Sequence, residues 1–212
     1  MTNISINILE SDAEISKRIL QALIKQTDSY FKKAFNKSKQ QIIPIVSNAI
    51  TSHPTYRSLV SGGLKAEFGL DSPRSRVSDI LSFWEKLTVE YQAPRIKGNQ
   101  ILGSFALSMI KSDYSDVLSL SAATVKTRKG SQLEWLRWLL LFGDKTIVKD
   151  YDIKFGPNSK SRSGDAIMVQ GKGARWSVPA AFSGTIGKNW ITEAIDSVEG
   201  QVFKILEQSL RN

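Results

Sequence analysis

Asp150 and Asp152 stand two positions apart in the alternating stretch Ile147 to Phe155. Side chains two apart on a strand share a face. Such a pair could hold a divalent cation or divide acid and base work between its members. Its commoner use is as an exposed strand partnered by nearby lysines, here Lys149 and Lys154. The single histidine, His53, precedes Pro54 at a helix end, where a structural role fits better than that of a general base. With no cysteine in the chain, disulfides, thiolate zinc sites and cysteine nucleophiles drop out together. No G-x-S-x-G elbow supports a serine nucleophile. The run from Gly184 to Asn189, GTIGKN, looks like a phosphate loop but has only two residues between its glycines, and Asn follows its lysine. A phosphate loop needs four residues there, and a Ser or Thr after the lysine to bind magnesium. A turn that delivers Asn189 as a helix cap accounts for the same residues. No catalytic residue, metal or cofactor is therefore expected.

Charge is the next source of chemistry. The formal net charge is +9, which calls for an acidic partner, nucleic acid or an acidic protein surface. Between Lys154 and Lys188 six bases (Lys154, Lys160, Arg162, Lys172, Arg175, Lys188) face one acid, Asp165. After Lys188 the balance reverses: Glu193, Asp196, Glu199 and Glu207 face Lys204 and Arg211. Lys126, Arg128 and Lys129 form a second basic cluster, the candidate DNA-facing group. Bases with interleaved aromatics can track phosphates and stack bases. Yet no helix-turn-helix, zinc finger or RNA-recognition signature accompanies them. Trp135, Trp138, Trp176 and Trp190 could equally fill a core or a subunit interface.

These residues must be positioned by elements legible in the pattern. Ser11 and Glu14 form a capping box, and Ile15, Ile19, Leu23, Tyr30 and Ala34 recur at helical spacing. A long helix is predicted from Asp12 to about Lys37, with Gln40 to Ile50 continuing it past a kink at Pro44. A short helix follows over Tyr56 to Val60, ended by Gly62-Gly63, and another over Asp79 to Tyr91. Leu102 to Lys111 and Asp116 to Lys126 read as strands of period two, and Thr127 to Gly130 as a turn. Ser131 is expected to cap a helix from Gln132 to Phe142, with Gly143 in the left-handed position after it. Ile147 to Phe155 and Ala166 to Gln170 read as strands around the polar loop Gly156 to Gly164. Trp190 to Leu210 reads as one helix with Ile191, Ile195, Val198, Val202, Ile205 and Leu206 on its apolar face. The fold class is α+β: a long N-terminal helix and a C-terminal helix on a small, mostly antiparallel sheet. Hydrophobic content of 41% suffices for one core. We expect one domain over 1–212, with 1–50 as a helical arm. No run approaches the ~18 apolar residues of a membrane helix, and the opening MTNISINILESDAEIS has no secretory-signal pattern. The absence of cysteine fits a reducing compartment.

The order of pieces from Gln132 onward, QLEWLRWLLLFG, a polar hairpin with SRSGDAIMV, then WSVPAAFSGTIGKNWITEAI, resembles the neck, head–tail joining and tail-completion proteins of tailed bacteriophages. In that group a long first helix precedes a small β-sheet. A helix ending in an aromatic-Gly turn crosses the sheet, and a proline-containing loop leads into a C-terminal helix. Leu141-Phe142-Gly143 and Pro179 to Ile195 occupy those places here. The likeness covers roughly the last eighty residues and, by pattern, the first helix; 64–91 is an insertion relative to the smallest members. The resemblance implies a non-enzymatic virion protein in a hexameric or dodecameric ring at the head–tail junction, contacting neighbouring neck, connector or tail proteins around a DNA channel. It implies assembly in the host cytoplasm and no membrane. Ring subunits offer complementary surfaces rich in aromatics, Met and Arg, which nominates Met168, Arg175, Trp176, Pro179, Phe182 and Trp190 as the docking surface. The alternative is a basic, non-catalytic nucleic-acid-binding protein; an enzyme using Asp150 and Asp152 with a metal is a third reading.

Overall fold

The computed structural model describes residues 11–87, 89–98, 100–107, 113–127 and 130–211. The fold is α+β, with a long first helix, a C-terminal helix and small antiparallel ladders. Helix α1 (Asp12–Ser52) runs 41 residues, roughly 60 Å at 1.5 Å per residue. Its start is fixed as the pattern predicts: the Glu14 amide donates to Ser11 Oγ at 3.3 Å, and the Ser11 amide donates to Glu14 Oε2 at 2.9 Å. Pro44 lies inside it without ending it, so the two predicted segments are one helix.

His53 closes α1 and caps α2 (Pro54–Ser61), its Nδ1 accepting the Thr55 amide at 3.2 Å. The Gly62-Gly63 pair turns the chain into a further helix, α3 (Gly63–Phe68). The next helix, α4 (Pro73–Leu87), starts earlier and ends earlier than predicted. The chain then enters the hairpin of β1 (Val89–Lys97) and β2 (Gln100–Leu107), so Tyr91 is on a strand. The Tyr91 hydroxyl anchors this hairpin to α1 by donating to Asp28 Oδ1 at 2.5 Å. Lost hydration and the neighbouring carboxylate push that hydroxyl's pKa up to about 12.

The predicted strand Asp116 to Lys126 is mostly not a strand. It holds α5 (Ser115–Leu118), a 3-10 turn at Ser121–Ala123, and only β3 (Val125–Lys126). Ser119 explains part of this: its hydroxyl bonds the Asp116 carbonyl at 2.7 Å, a local partner that competes with ladder formation. Of the other predicted strand, Leu102 to Leu107 lies in β2, and residues 108–111 lie outside the described residues. Of the predicted turn at Thr127 to Gly130, residues 128 and 129 lie outside the described residues; the Gly130 amide donates to the Thr127 carbonyl at 3.0 Å. Ser131 caps no helix, because β4 (Gln132–Leu133) pairs with β3. Helix α6 (Trp135–Leu141) begins after it, and Gly143 follows with φ 57°, as predicted.

The last hairpin joins β5 (Val148–Phe155) to β6 (Ala166–Trp176), a strand twice as long as the predicted Ala166 to Gln170. The predicted sheet is therefore three separate two-stranded ladders. The predicted final helix is two: α7 (Trp190–Asp196) and α8 (Glu199–Arg211). At the break the Ser197 hydroxyl bonds the Ala194 carbonyl at 2.6 Å, and the Val198 amide turns to the Ile195 carbonyl three residues back. Hydroxyl back-bonding and a tightened turn together interrupt the i to i−4 ladder.

One core gathers Leu59, Leu64, Phe68 and Leu70 with Val77 and Ile80 of α4, all of α6's inner face, and Val178, Ile191 and Ala194. Trp135 is fully enclosed, and its indole N–H donates to the Ala122 carbonyl at 2.9 Å. Buried tryptophans usually find such a partner.

Candidate functional site

The stretch from Gly171 to Trp190 builds its geometry from two tight contacts. The amide of Gly143 donates to the Gly184 carbonyl at 2.8 Å, which clamps the loop against the end of α6. A Cβ on Gly184 would lie 2.7 Å from the Leu139 carbonyl oxygen and 2.6 Å from Asn189 Cβ, so only glycine permits this approach. Residues 185–188 then close on themselves, with Thr185 N to Lys188 O at 2.7 Å and the reverse bond at 3.1 Å. This turn delivers Asn189 to the start of α7. Asn189 Oδ1 accepts the amides of Ile191 (3.1 Å) and Thr192 (3.3 Å), and Nδ2 donates to Tyr114 Oη (2.7 Å) and the Thr185 carbonyl (3.1 Å). Asn189 is thus the predicted cap and also a buried junction between α7, the turn and the Tyr114 segment.

The nominated docking residues separate. Trp176 is only 8% exposed and Trp190 3%, so both are core side chains of this chain and not surface anchors. Phe68 meets Trp176 edge-on at 5.8 Å, and Trp138 meets it at 6.0 Å, a geometry that suits ring quadrupoles. The Trp190 indole nitrogen is buried with no partner among the described residues. Pro179 and Phe182 are half-buried, while Met168 and Arg175 are exposed on β6. Strand alternation alone does not divide them, because the β5–β6 register changes between Gln170, which pairs with Tyr151, and Arg175, which pairs with Lys149.

A groove of about 570 Å³ lies between the β5–β6 hairpin and the α3–α6 face, walled by Phe68, Trp138, Ile153, Met168 and Trp176. Glu67 supplies its acid, accepting the Trp176 indole N–H at 3.0 Å. Lost hydration pushes the Glu67 carboxyl above its ordinary value, and the indole bond only partly offsets that. Arg162 fastens the polar loop to the body, donating to the carbonyls of Lys126 (2.9 Å) and Phe68 (3.3 Å). Lys65 pairs with Asp165 at 2.7 Å beside it. Gly69 (φ 59°) lets the guanidinium in, since a Cβ there would sit 2.8 Å from Arg162 Nη2. Sequence reasoning counted Arg162 as one more surface charge and passed over Glu67; no local motif marks either.

Asp150 and Asp152 do not share a face. The ladder shifts register between Lys149 and Tyr151, and Asp150 adopts φ 59°. This bulge spends the Asp150 carboxylate on the Gly173 amide at 2.9 Å, while Asp152 pairs with Lys154 at 3.5 Å. No group of three or more His, Asp or Glu side chains placed to hold a metal ion occurs among the described residues. His53 Nε2 faces Glu193 at 3.5 Å while Nδ1 serves as the α2 cap. Lys126 is exposed; Arg128 and Lys129 lie outside the described residues. No helix among the described residues is long and apolar enough to cross a membrane.

Further exposed apolar residues lie elsewhere. Ile19, Leu23 and Tyr30 on α1, and Phe203 and Leu210 on α8, all face outward. The periodicity that marks α1 as a helix follows this exposed stripe as far as Tyr30 and runs at Ala34 into the buried residues Ala34, Ser38, Ile42 and Ile50.

Comparison of the chain with family models, with curated proteins and with solved structures gives no match.

Proposed function

We propose that this chain is a non-enzymatic structural protein of a tailed-phage virion, forming a hexameric or dodecameric ring at the head–tail junction that joins or seals tail to head. The observation that carries this reading is the order of elements: a long first helix, a hairpin, a short helix ended by Phe142-Gly143, and a Pro179 loop delivering a capped C-terminal helix. That is the order the resemblance implies. Exposed apolar side chains on α1 (Ile19, Leu23, Tyr30) and on α8 (Phe203, Leu210) are compatible with a partner surface. Trp176 and Trp190 drop out of the docking surface; Met168, Arg175, Pro179 and Phe182 stay in it. Neighbouring neck, connector or tail proteins would be the partners.

The formal charge of +9 favours a second reading, a basic nucleic-acid-binding protein. Salt dependence separates the two. A phosphate-tracking protein loses affinity with a log–log slope of about −0.9 per phosphate contacted. The ring reading expects weak, sequence-independent DNA binding and closed rings in electron micrographs. Tight binding by a chain that stays monomeric within intact particles would favour the second reading.

A further inference from the structure

We infer that the open face of the β5–β6 hairpin is a platform for single-stranded nucleic acid, with bases stacked on Tyr151 and Phe155 and phosphates held by Lys160 and Lys126. The inference rests on nucleic-acid contact, which the ring reading above allows as weak and the second reading requires as tight. It adds a place and a strand preference.

The face is aromatic and open. From Tyr151 to Phe155 the ladder is regular, opposite Gln170 to Ala166. Alternate residues of a regular stretch share a face, so Tyr151 and Phe155 flank Ile153 on one side of the hairpin. Ile153 and its cross-strand partner Met168 wall the groove described above. Tyr151 is 40% exposed and Phe155 62%. They stand about 13 Å apart, at ~3.3 Å per residue. Neither ring packs on another aromatic ring among the described residues. An exposed ring offers any unpaired base a surface to stack on. The groove beside them, about 570 Å³, falls in the range of ~300–1,000 Å³ that takes up small ring systems. Trp138, half-buried, forms part of its wall.

The charge around this face suits an anionic strand. Residues 148–176 hold six bases (Lys149, Lys154, Lys160, Arg162, Lys172, Arg175) and three acids. The acids are already engaged: Asp150 accepts the Gly173 amide, Asp152 pairs with Lys154, and Asp165 pairs with Lys65. Lys160 and Arg162 line the groove. The Arg162 bond to the Lys126 carbonyl brings both basic clusters of the sequence to that one edge. Lys126 and Lys160 are exposed and form no ion pair among the described residues. Glu67, the one acid lining the groove, is bonded to Trp176. An apolar protein surface would cover the rings and leave these ammonium groups without a partner. A duplex would satisfy the ammonium groups and keep its bases from the rings. A single strand covers both.

Fluorescence anisotropy of the full chain tests this, with a labelled oligothymidylate of about 16 nucleotides, the upper end of single-strand site sizes. The matching oligothymidylate–oligodeoxyadenylate duplex and an oligouridylate of the same length are the comparisons. The single strand should bind several-fold tighter than the duplex at the same salt. Tyr151→Ala and Phe155→Ala, both surface changes, should each weaken single-strand binding about five-fold or more and leave duplex binding unchanged. Lys160→Ala should weaken both and lower the single-strand log–log salt slope by about 0.7. Phe203→Ala, equally exposed but on α8, should change nothing. Oligouridylate bound as tightly as oligothymidylate supports a platform open to RNA, and weaker oligouridylate binding supports one for DNA. Duplex binding as tight as single-strand binding, or single-strand binding that survives both aromatic changes, overturns the platform and leaves nucleic-acid contact standing. No binding to any of the three overturns the platform and the second reading together, and leaves the ring. Aromatic variants that lose self-association and keep oligonucleotide binding assign the face to protein contact and overturn the platform.

Discussion

Glu67 concentrates the residue-scale argument, because its carboxylate is half-buried beside three aromatic rings and accepts one strong hydrogen bond from Trp176. Its folded pKa is raised above the unfolded value. The stabilisation this brings is fully present below the unfolded pKa and is lost as pH rises through the folded pKa. Glu67→Gln keeps an acceptor for the indole and removes the charge. The variant should therefore unfold at a denaturant midpoint equal to or above that of the parent at neutral pH, with the advantage vanishing in acid. Denaturant titrations across pH check this. Trp176→Ala removes a core ring and should cost about 3–5 kcal/mol, read as a lower melting temperature of the isolated chain. An interface anchor would instead leave melting unchanged. Gly184→Ala forces a Cβ against the Leu139 carbonyl and should lower the melting temperature even though the added group is one methyl.

At the scale of elements, the capping box, the left-handed Gly143, the Asn189 cap and the polar hairpin loop were legible, because each is decided by a few neighbouring residues. What failed depended on distant partners. Gln132-Leu133 is amphipathic enough for a helix, but it pairs with Val125-Lys126 across a turn. The Ser and apolar alternation before it suggested a strand, while Ser119 satisfies its backbone locally. Asp150 and Asp152 obey period two only if the ladder is regular, and an irregularity that sets Asp150 against residues 171–174 is invisible in a single sequence. The tryptophans could not be sorted between core and surface without knowing that Phe68, far away in sequence, meets Trp176 edge-on. Two element-level outcomes follow. Pro44 has no amide to donate inside α1, so Pro44→Ala should stabilise the chain, by no more than about 3 kcal/mol. Arg162→Ala cuts the two bonds that tie the β5–β6 loop to Phe68 and Lys126. It should speed amide exchange in residues 156–165 much more than in α6, as hydrogen-exchange mass spectrometry would read.

For the whole molecule, the charge of +9 is divided between a basic first helix and middle and an acidic C-terminal end. A nucleic-acid binder would draw on the basic part, whereas a ring that only surrounds DNA needs no tight phosphate contacts. Changing Lys126, Arg128 and Lys129 to Ala should therefore leave assembly intact and reduce only the salt-dependent component of DNA binding, by a log–log slope of at most about 0.9 per lost contact. The most direct measurement is electron microscopy of the purified full chain and of virions in which it is labelled. The account predicts closed rings of six or twelve copies, located where head meets tail. Labelled virions in which the chain sits elsewhere, or occurs at the neck as isolated single copies, would contradict it.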